Sequence, residues 1–346
     1  YQRRVRGMQS LVEHVSQIKS LLDFKQQNTC YSPFSLLHAL LLLSFTSDDS
    51  AIQELKQKLN LDPDAMLALA QRIQQDASVE LASNIFHHQL AELKPEYKQK
   101  MQDLFGIAPE ALLSAEQVNR WCSQHTHDRI KKILETVNGA KTILISAIYF
   151  KADWKTKFPK NKTSKKQFHG FQGKQKVETM KLKTALEYTQ TQTAQVVRLE
   201  YAKTRMSALI ILPVDNEHFS QSLSPENLGA QLYLNNVDLE LPKFTLESDF
   251  QLQATLRQLE VRKIFEGIDC AATLGGQMAV DQIVQKTFVQ VDEEGTEAAA
   301  VTAVVVKKSG GFFPSPTHYT KVYCDRPFWL VLQFDGAPVF VVSVVK

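Results

Sequence analysis

The sequence of 346 residues has no uninterrupted apolar run of the roughly eighteen residues needed to cross a bilayer. It also lacks a Pro/Gly/Ser-rich linker, an internal repeat and a low-complexity tract at which it would divide, so one domain over 1–346 is expected. Cysteine is scarce: Cys30, Cys122, Cys270 and Cys324 lie far apart, form neither a CxxC pair nor a cluster with histidines, and read as scattered thiols. His87 and His88 are adjacent in a strand-like stretch and should face opposite sides, and His125 and His127 stand two apart on a helix-like stretch. Neither pair makes a metal site. GxSxG, HExxH and phosphate-loop motifs are missing, so no catalytic residue is nominated and no enzyme activity, cofactor or metal is expected. Charge of one sign is missing too, since 40 Lys and Arg against 37 Asp and Glu leave +3, too little to imply a nucleic-acid partner.

What is present is an ordinary globular balance, 44% hydrophobic and 22% charged. Met8, Leu11, Val15, Ile18 and Leu22 recur at steps of three and four, the pattern of an amphipathic helix. Ser32-Pro33 opens a second helix whose stretch 34–45 is apolar nearly all round and so must be buried on every side. Stretches 91–105 and 116–135 again read as helices, the latter with Val118, Trp121, Cys122, Ile130, Ile133 and Leu134 on one side. Then 143–150, 208–212, 237–241, 287–291, 328–334 and 339–345 are β-rich, several with no polar face, as for strands covered on both sides. The class is α+β, with helices early and sheets late.

Around residue 295 the chemistry switches twice. Asp292-Glu293-Glu294-Gly295 precedes a run at 298–306 built only of Ala, Val and Thr, which then meets Lys307-Lys308-Ser309-Gly310-Gly311. From composition alone this is a buried strand followed by a surface turn. Yet Gly295 places a pivot where a rigid strand would continue, and Thr296, Ala298, Ala300, Thr302, Val304 and Val306 form one small, uncharged face that could enter a packed sheet as a late strand.

Glu293-Glu294-Gly295-Thr296-Glu297-Ala298-Ala299-Ala300-Val301-Thr302 resembles the hinge of the reactive-centre loop in inhibitory serpins. Tyr31-Ser32-Pro33-Phe34-Ser35-Leu36 is similar to an N-terminal motif of that family, and Asn119-Arg120-Trp121 to the start of the helix across its main sheet. Ile148-Tyr149-Phe150-Lys151-Ala152-Asp153-Trp154 resembles its breach strand, and Asp325-Arg326-Pro327-Phe328 its closing motif. The resemblance implies three β-sheets, about nine helices and an exposed reactive-centre loop at about 293–321. It also implies a metastable native state in which a protease cuts the loop, forms an acyl-enzyme and is carried off as the loop inserts into the central sheet. About fourteen inserted residues would make a strand of roughly 45 Å.

Departures from the family pattern fall at the shutter beneath the central sheet, where Ser146 and Gln285 replace the usual Asn and His beside Ser32 and Ser35. A Ser146–Gln285 hydrogen bond is the expected substitute. Phe45-Thr46-Ser47-Asp48-Asp49 replaces an early glycine-rich turn, and Phe340-Val341-Val342 lacks the familiar glycine. Counting from Gly295 puts the scissile bond near Ser309. The cation one residue earlier favours Lys308–Ser309 and a trypsin-like serine protease, with elastase-like cleavage after Ser309 and chymotrypsin-like cleavage at Phe312 or Phe313 as alternatives.

The altered shutter motivates a second reading, a non-inhibitory member acting as carrier, chaperone or ligand-binding protein. Lys155, Lys157, Lys160, Lys162, Lys165 and Lys166 form a basic run that reads as a solvated face rather than a glycosaminoglycan site. Residues 1–7 carry three arginines with no hydrophobic run behind them, which is no signal peptide. The sequon Asn161-Lys162-Thr163 fits a secreted glycoprotein, and a monomeric extracellular protein is the expectation.

Overall fold

This computed structural model describes residues 2–46, 49–88, 95–270, 276–296 and 318–346. The first part is helical: α1 (Gln2–Ile18), β1 (Thr29–Tyr31), α2 (Pro33–Thr46), α3 (Asp49–Leu59), α4 (Pro63–Gln74), β2 (Val79–His87), α5 (Pro95–Phe105), β3 (Glu110–Ala111) and α6 (Ala115–His125). α2 opens at a proline because Pro33 fills a first-turn position that needs no N–H, and the Ser32 hydroxyl accepts from the Ser35 N–H at 3.1 Å. Every residue of 34–44 is buried, as its all-round apolar sequence requires.

Strands dominate the remainder. β4 (Thr142–Phe150), β5 (Ala152–Asp153), β6 (Ser164–Gly170), β7 (Gly173–Gln190), β8 (Ala194–Glu200) and β9 (Met206–Pro213) precede the short helices α7 (Phe219–Ser222) and α8 (Pro225–Leu228). β10 (Tyr233–Pro242) and β11 (Phe244–Gln251) lead to α9 (Gln253–Gln258), α10 (Lys263–Glu266), β12 (Ile268–Asp269) and β13 (Gln277–Met278). The chain closes through β14 (Gln282–Val291), β15 (Gly295–Thr296), β16 (Thr320–Tyr323), β17 (Phe328–Phe334) and β18 (Ala337–Val344).

Among the described residues there are three sheets and ten α-helices, close to the expected three and about nine. One sheet runs β1-β18-β17-β9-β8-β7-β10-β16 with β6 on β7, a second runs β3-β2-β4-β14-β15-β5 with β11 on β14, and β12 pairs β13. The second sheet is covered on both faces, which explains why β4 has no polar side. Leu144, Ile148 and Phe150 join the main core around α2, while Ile143, Ile145 and Ala147 pack with Val118, Trp121 and Cys122 of α6.

Two expectations need correction. The helix expected over 116–135 stops at His125, because the side chain of Asn119 captures the backbone that follows: Oδ1 accepts from Ile133 N at 2.8 Å and Leu134 N at 2.9 Å, and Nδ2 donates to Leu134 O at 2.8 Å. His127 and Asp128 turn the chain with φ of 47° and 59°. Ile130, Ile133 and Leu134 still reach the core, from an irregular segment. The rings of His87 and His88 do not diverge but meet edge-on at 4.9 Å, since β2 ends at His87 and strand alternation ends with it.

Candidate functional site

The seam between β4 and β14 lies in the middle of the second sheet. The two strands pair directly and in parallel, from Gln282↔Ile143 to Phe288↔Tyr149, in a sheet whose other β14 neighbour, β11, is antiparallel. At the head of the seam a turn at Asp292-Glu293-Glu294 reverses the chain into β15. Gly295 and Thr296 lie antiparallel to both sides, with Thr296 opposite Val291 of β14 and opposite Ala152 of β5, and Gly295 opposite Asp153. Two residues thus already occupy the place of a strand between β14 and the continuation of β4.

The wedge is held closely. A Cβ on Gly295 would collide with the Ala152 carbonyl and stand 2.8 Å from Asp153 Cα, so glycine is required here by backbone approach rather than by left-handed torsion. Thr296 is fully buried, and its hydroxyl shares a 2.5 Å hydrogen bond with Tyr201. Tyr201 stacks on Trp154 with centroids 4.3 Å apart, and Trp154 donates its indole N–H to Asp292 O at 2.9 Å and its backbone N–H to Glu294 O at 2.8 Å.

Charge fastens the turn itself. Glu293 is buried and accepts from Thr163 Oγ1 at 2.7 Å and from Lys243 Nζ at 3.0 Å. Burial pushes its carboxyl up, but the donors outweigh it and hold it below the ordinary range. Glu294 receives Lys157 at 2.6 Å and Lys160 at 2.9 Å, which likewise lower it. The basic run therefore is not simply a solvated face. Lys155 pairs with Glu200 and Lys166 with Glu240, while Lys157 and Lys160 hold Glu294 in the turn before β15. Asn161 is exposed on the intervening turn.

Midway down the seam, Ser146 and Gln285 are register partners, yet they do not bond each other as expected. Ser146 Oγ donates to Ser35 Oγ at 2.8 Å, and Gln285 Nε2 donates to Ser35 Oγ at 3.1 Å and to Ser32 O at 2.8 Å. Gln285 Oε1 accepts from Ser32 N at 3.0 Å, and Ser32 Oγ donates to Val339 O at 2.7 Å. Both strands are pinned separately to the start of α2. All four residues are buried and uncharged.

Of the residues singled out in the sequence, Glu293, Glu294, Gly295 and Thr296 come together at the head of the seam, and Ser32, Ser35, Ser146 and Gln285 at its middle. Glu297, Ala298, Ala299, Ala300, Val301, Thr302, Lys308 and Ser309 lie outside the described residues. The four cysteines are buried and form no disulfide, and burial pushes the thiols of Cys30 and Cys122 up to about 12. No cluster of His, Cys, Asp and Glu suited to a metal occurs among the described residues.

The family model for "Serpin (serine protease inhibitor)" matches residues 10–346. The chain belongs to the serpin family. Alaserpin of Manduca sexta is 30% identical over 351 residues, covering 92% of this chain and 88% of that protein. Antitrypsin of Bombyx mori is 28% identical, covering 89% and 86%. Among solved structures, Serpin48 of Tenebrio molitor superposes with a TM-score of 0.84 at 24% identity, covering 99% of this chain and 98% of that one. The thermophilic serpin Tengpin in its native state superposes at 0.85 and 22%, covering 98% and 94%. At those identities the structures speak for the fold alone, which is the serpin fold.

Sequence reasoning missed Lys157, Lys160, Thr163, Lys243 and Tyr201 as parts of the site. The alternation of charge between Glu293-Glu294 and the lysine run was the one available signal, and it names no partners until the fold brings them together.

Proposed function

We propose that this serpin inhibits a serine protease as a suicide substrate, with Lys308–Ser309 as bait, and that the wedge at the head of the β4–β14 seam is the start of the inserting strand. The observation that carries this reading is the double antiparallel pairing of Gly295-Thr296. Continuing both registers downward puts Ala299 between Phe288 and Tyr149, and Thr302 between Gln285 and Ser146. Those residues are already each other's partners across the seam. Insertion then needs no sliding of β14 along β4, only a sideways separation of about 4.8 Å per added strand. It also replaces one parallel pairing, the weaker kind, with two antiparallel ones.

The chemistry follows. The protease's serine oxygen attacks the Lys308 carbonyl carbon, the Lys308–Ser309 C–N bond breaks, and the freed amine of Ser309 departs with a proton, leaving an ester. Once the loop is severed its upper arm zips down the seam, dragging the esterified protease. Distortion of that enzyme's catalytic geometry stalls hydrolysis, because such geometry tolerates little displacement. A long cation at Lys308 suits a trypsin-like pocket. The names of the relatives support protease inhibition, and the exposed sequon at Asn161 supports a glycosylated extracellular protein.

Incubation with trypsin tests the proposal, and an SDS-resistant adduct at the summed mass less the released fragment 309–346 is expected. Mass spectrometry of the released peptide should place cleavage after Lys308, and a nicked sample should melt well above the intact one. Clean cleavage with no adduct from trypsin-like, elastase-like and chymotrypsin-like enzymes, with no gain in melting temperature, would leave the carrier reading standing instead.

A further inference from the structure

The connection from α6 to β4 ends in an exposed two-residue turn, Asn138-Gly139. Ala140 N donates to Val137 O at 2.7 Å across it, and the two central residues are left-handed, with φ of 45° and 69°. Of the ten asparagines in the chain, Asn138 alone precedes a glycine. That neighbour decides its reactivity. Gly139 carries no side chain to hinder its backbone nitrogen from reaching Asn138 Cγ, and the space where a Cβ would stand is open. Among the described residues, the Gly139 N–H finds no acceptor. Asn138 Oδ1 accepts from Thr136 Oγ1, which draws electron density off Cγ and makes it the better electrophile. Asp335-Gly336 repeats the backbone pattern, with φ of 49° and 87°, but its side chain is a carboxylate paired with Arg72 and Arg205, a poor electrophile.

We propose that Asn138 is a site of spontaneous deamidation, and that the isoaspartate formed there loosens the foot of the β4–β14 seam. The Gly139 N–H gives its proton to hydroxide, and the nitrogen bonds to Cγ. The Cγ–Nδ2 bond then breaks, and ammonia leaves with a proton returned by water. The cyclic imide takes up one water: opening at Cγ gives aspartate, and opening at the Asn138 backbone carbonyl gives isoaspartate, whose main chain is one carbon longer. No electrons are exchanged. Three residues on, Asp281 Oδ2 accepts from Lys141 N at 2.7 Å and Thr142 N at 2.9 Å, and His88 N donates to Lys141 O at 2.8 Å. β4 starts at Thr142, and Ile143 is the first residue to pair across the seam, with Gln282. A turn lengthened by one carbon cannot keep its closing bond and still deliver Lys141 and Thr142 to Asp281. The aspartate product keeps the main-chain length and adds only a charge, in a cavity of about 330 Å³ that Asn138 shares with Lys132 and Lys286. The reaction does not rest on the loop mechanism.

The test is to age the protein in mildly alkaline buffer, then denature it and digest it with trypsin. Peptide 133–141 should become about 1 Da heavier and accept a methyl group from S-adenosylmethionine through an isoaspartyl methyltransferase. Peptides carrying the exposed Asn216 and Asn235 should gain mass more slowly by about tenfold or more, and no methyl label should fall on Asp335. Gly139→Ala should slow the mass gain about tenfold or more and Thr136→Val about threefold. The labelled, more anionic fraction of intact protein should show a urea midpoint lower by about 0.5 M, whereas Asn138→Asp, which copies the charge without the extra carbon, should stay close to wild type. A 133–141 peptide that keeps its mass, or gains it no faster than the other two sites, overturns the site. Unchanged rates in both variants overturn the route. An isoaspartyl fraction with the midpoint of fresh protein, or one matched by Asn138→Asp, overturns the consequence for the seam.

Discussion

The head and the middle of the β4–β14 seam are closed by different physics. At the head, Glu293 and Glu294 hold the turn through Thr163, Lys243, Lys157 and Lys160, most of it at or near the surface. At the middle, Ser32, Ser35, Ser146 and Gln285 are fully buried and bear no charge. The head therefore answers to salt and pH, whereas the middle answers to packing and hydrogen-bond geometry. Under the proposed insertion, a strand that starts at the head and must pass the middle meets first a gate that solution conditions can loosen, then one that they cannot.

The largest effect separates the wedge from everything below it. Thr296 is buried against Tyr201, so Thr296→Arg must either expose the wedge or bury a cation without a partner, at a cost of several kcal/mol. The expected outcome is conversion to a substrate: trypsin cleaves the loop, and the SDS-resistant adduct falls about tenfold or more. An adduct yield equal to wild type would mean that Thr296 is not the first residue to enter.

The shutter comes next. Gln285→Ala removes one of the two bonds that Ser35 Oγ accepts and the bond to Ser32 O, and it leaves the buried Ser32 N–H without a partner, at about 1–3 kcal/mol. The urea midpoint should drop by the equivalent of about 2 kcal/mol at any ionic strength, and Ser35→Ala by less, since it removes one shared acceptor. Salt dependence of either loss would erase the contrast with the head.

Glu293→Gln tests the head and supplies the pH signature, with a loss of about 1–3 kcal/mol at neutral pH for a hydrogen-bonded buried charge. The folded carboxyl titrates below its ordinary value of 4.5, so the unfolded chain takes up the proton first. The stabilisation is complete above that value and disappears as pH falls through the lower folded value. The difference between wild type and Glu293→Gln should therefore close below about pH 4.5. Burial lowers His14 and His38 to about 4, which withdraws stability from both proteins between pH 6.5 and 4, and that shared loss cancels in the difference.

The same contrast explains what could be read from the sequence. β4, β17 and the buried helix α2 were legible because being covered all round leaves no polar face, a property of each segment alone, whereas β14, with Gln282, Lys286 and Gln290 on one side, was read only over 287–291. The hinge was legible because its composition changes abruptly at Gly295. The role of Asn119 in ending α6 was not, since it bonds residues 14 and 15 positions onward. Nor was the grip of Lys157 on Glu294, 137 positions away. The middle of the seam was half legible: the sequence named four residues that the fold brings together, but the bond expected between Ser146 and Gln285 gave way to a shared acceptor, Ser35, which only the approach of α2 supplies. The strand β7, 18 residues long, carries enough lysine and glutamate on its outer face to hide its period.

The smallest effect is the sharpest probe of mechanism at the head. Lys157 is about one-third exposed and divides itself between Glu294 at 2.6 Å and Asp153 at 3.2 Å, so Lys157→Gln should cost about 0.5 kcal/mol or less. Lys160 is still more exposed, and its loss should be visible only in the rate of loop insertion at low salt. In about 1 M NaCl, where the screening length shrinks to roughly 3 Å, both variants should match wild type. If the Lys157→Gln deficit persists there, the lysine acts through its aliphatic stem rather than its charge. The head of the seam would then be closed by packing, as its middle is.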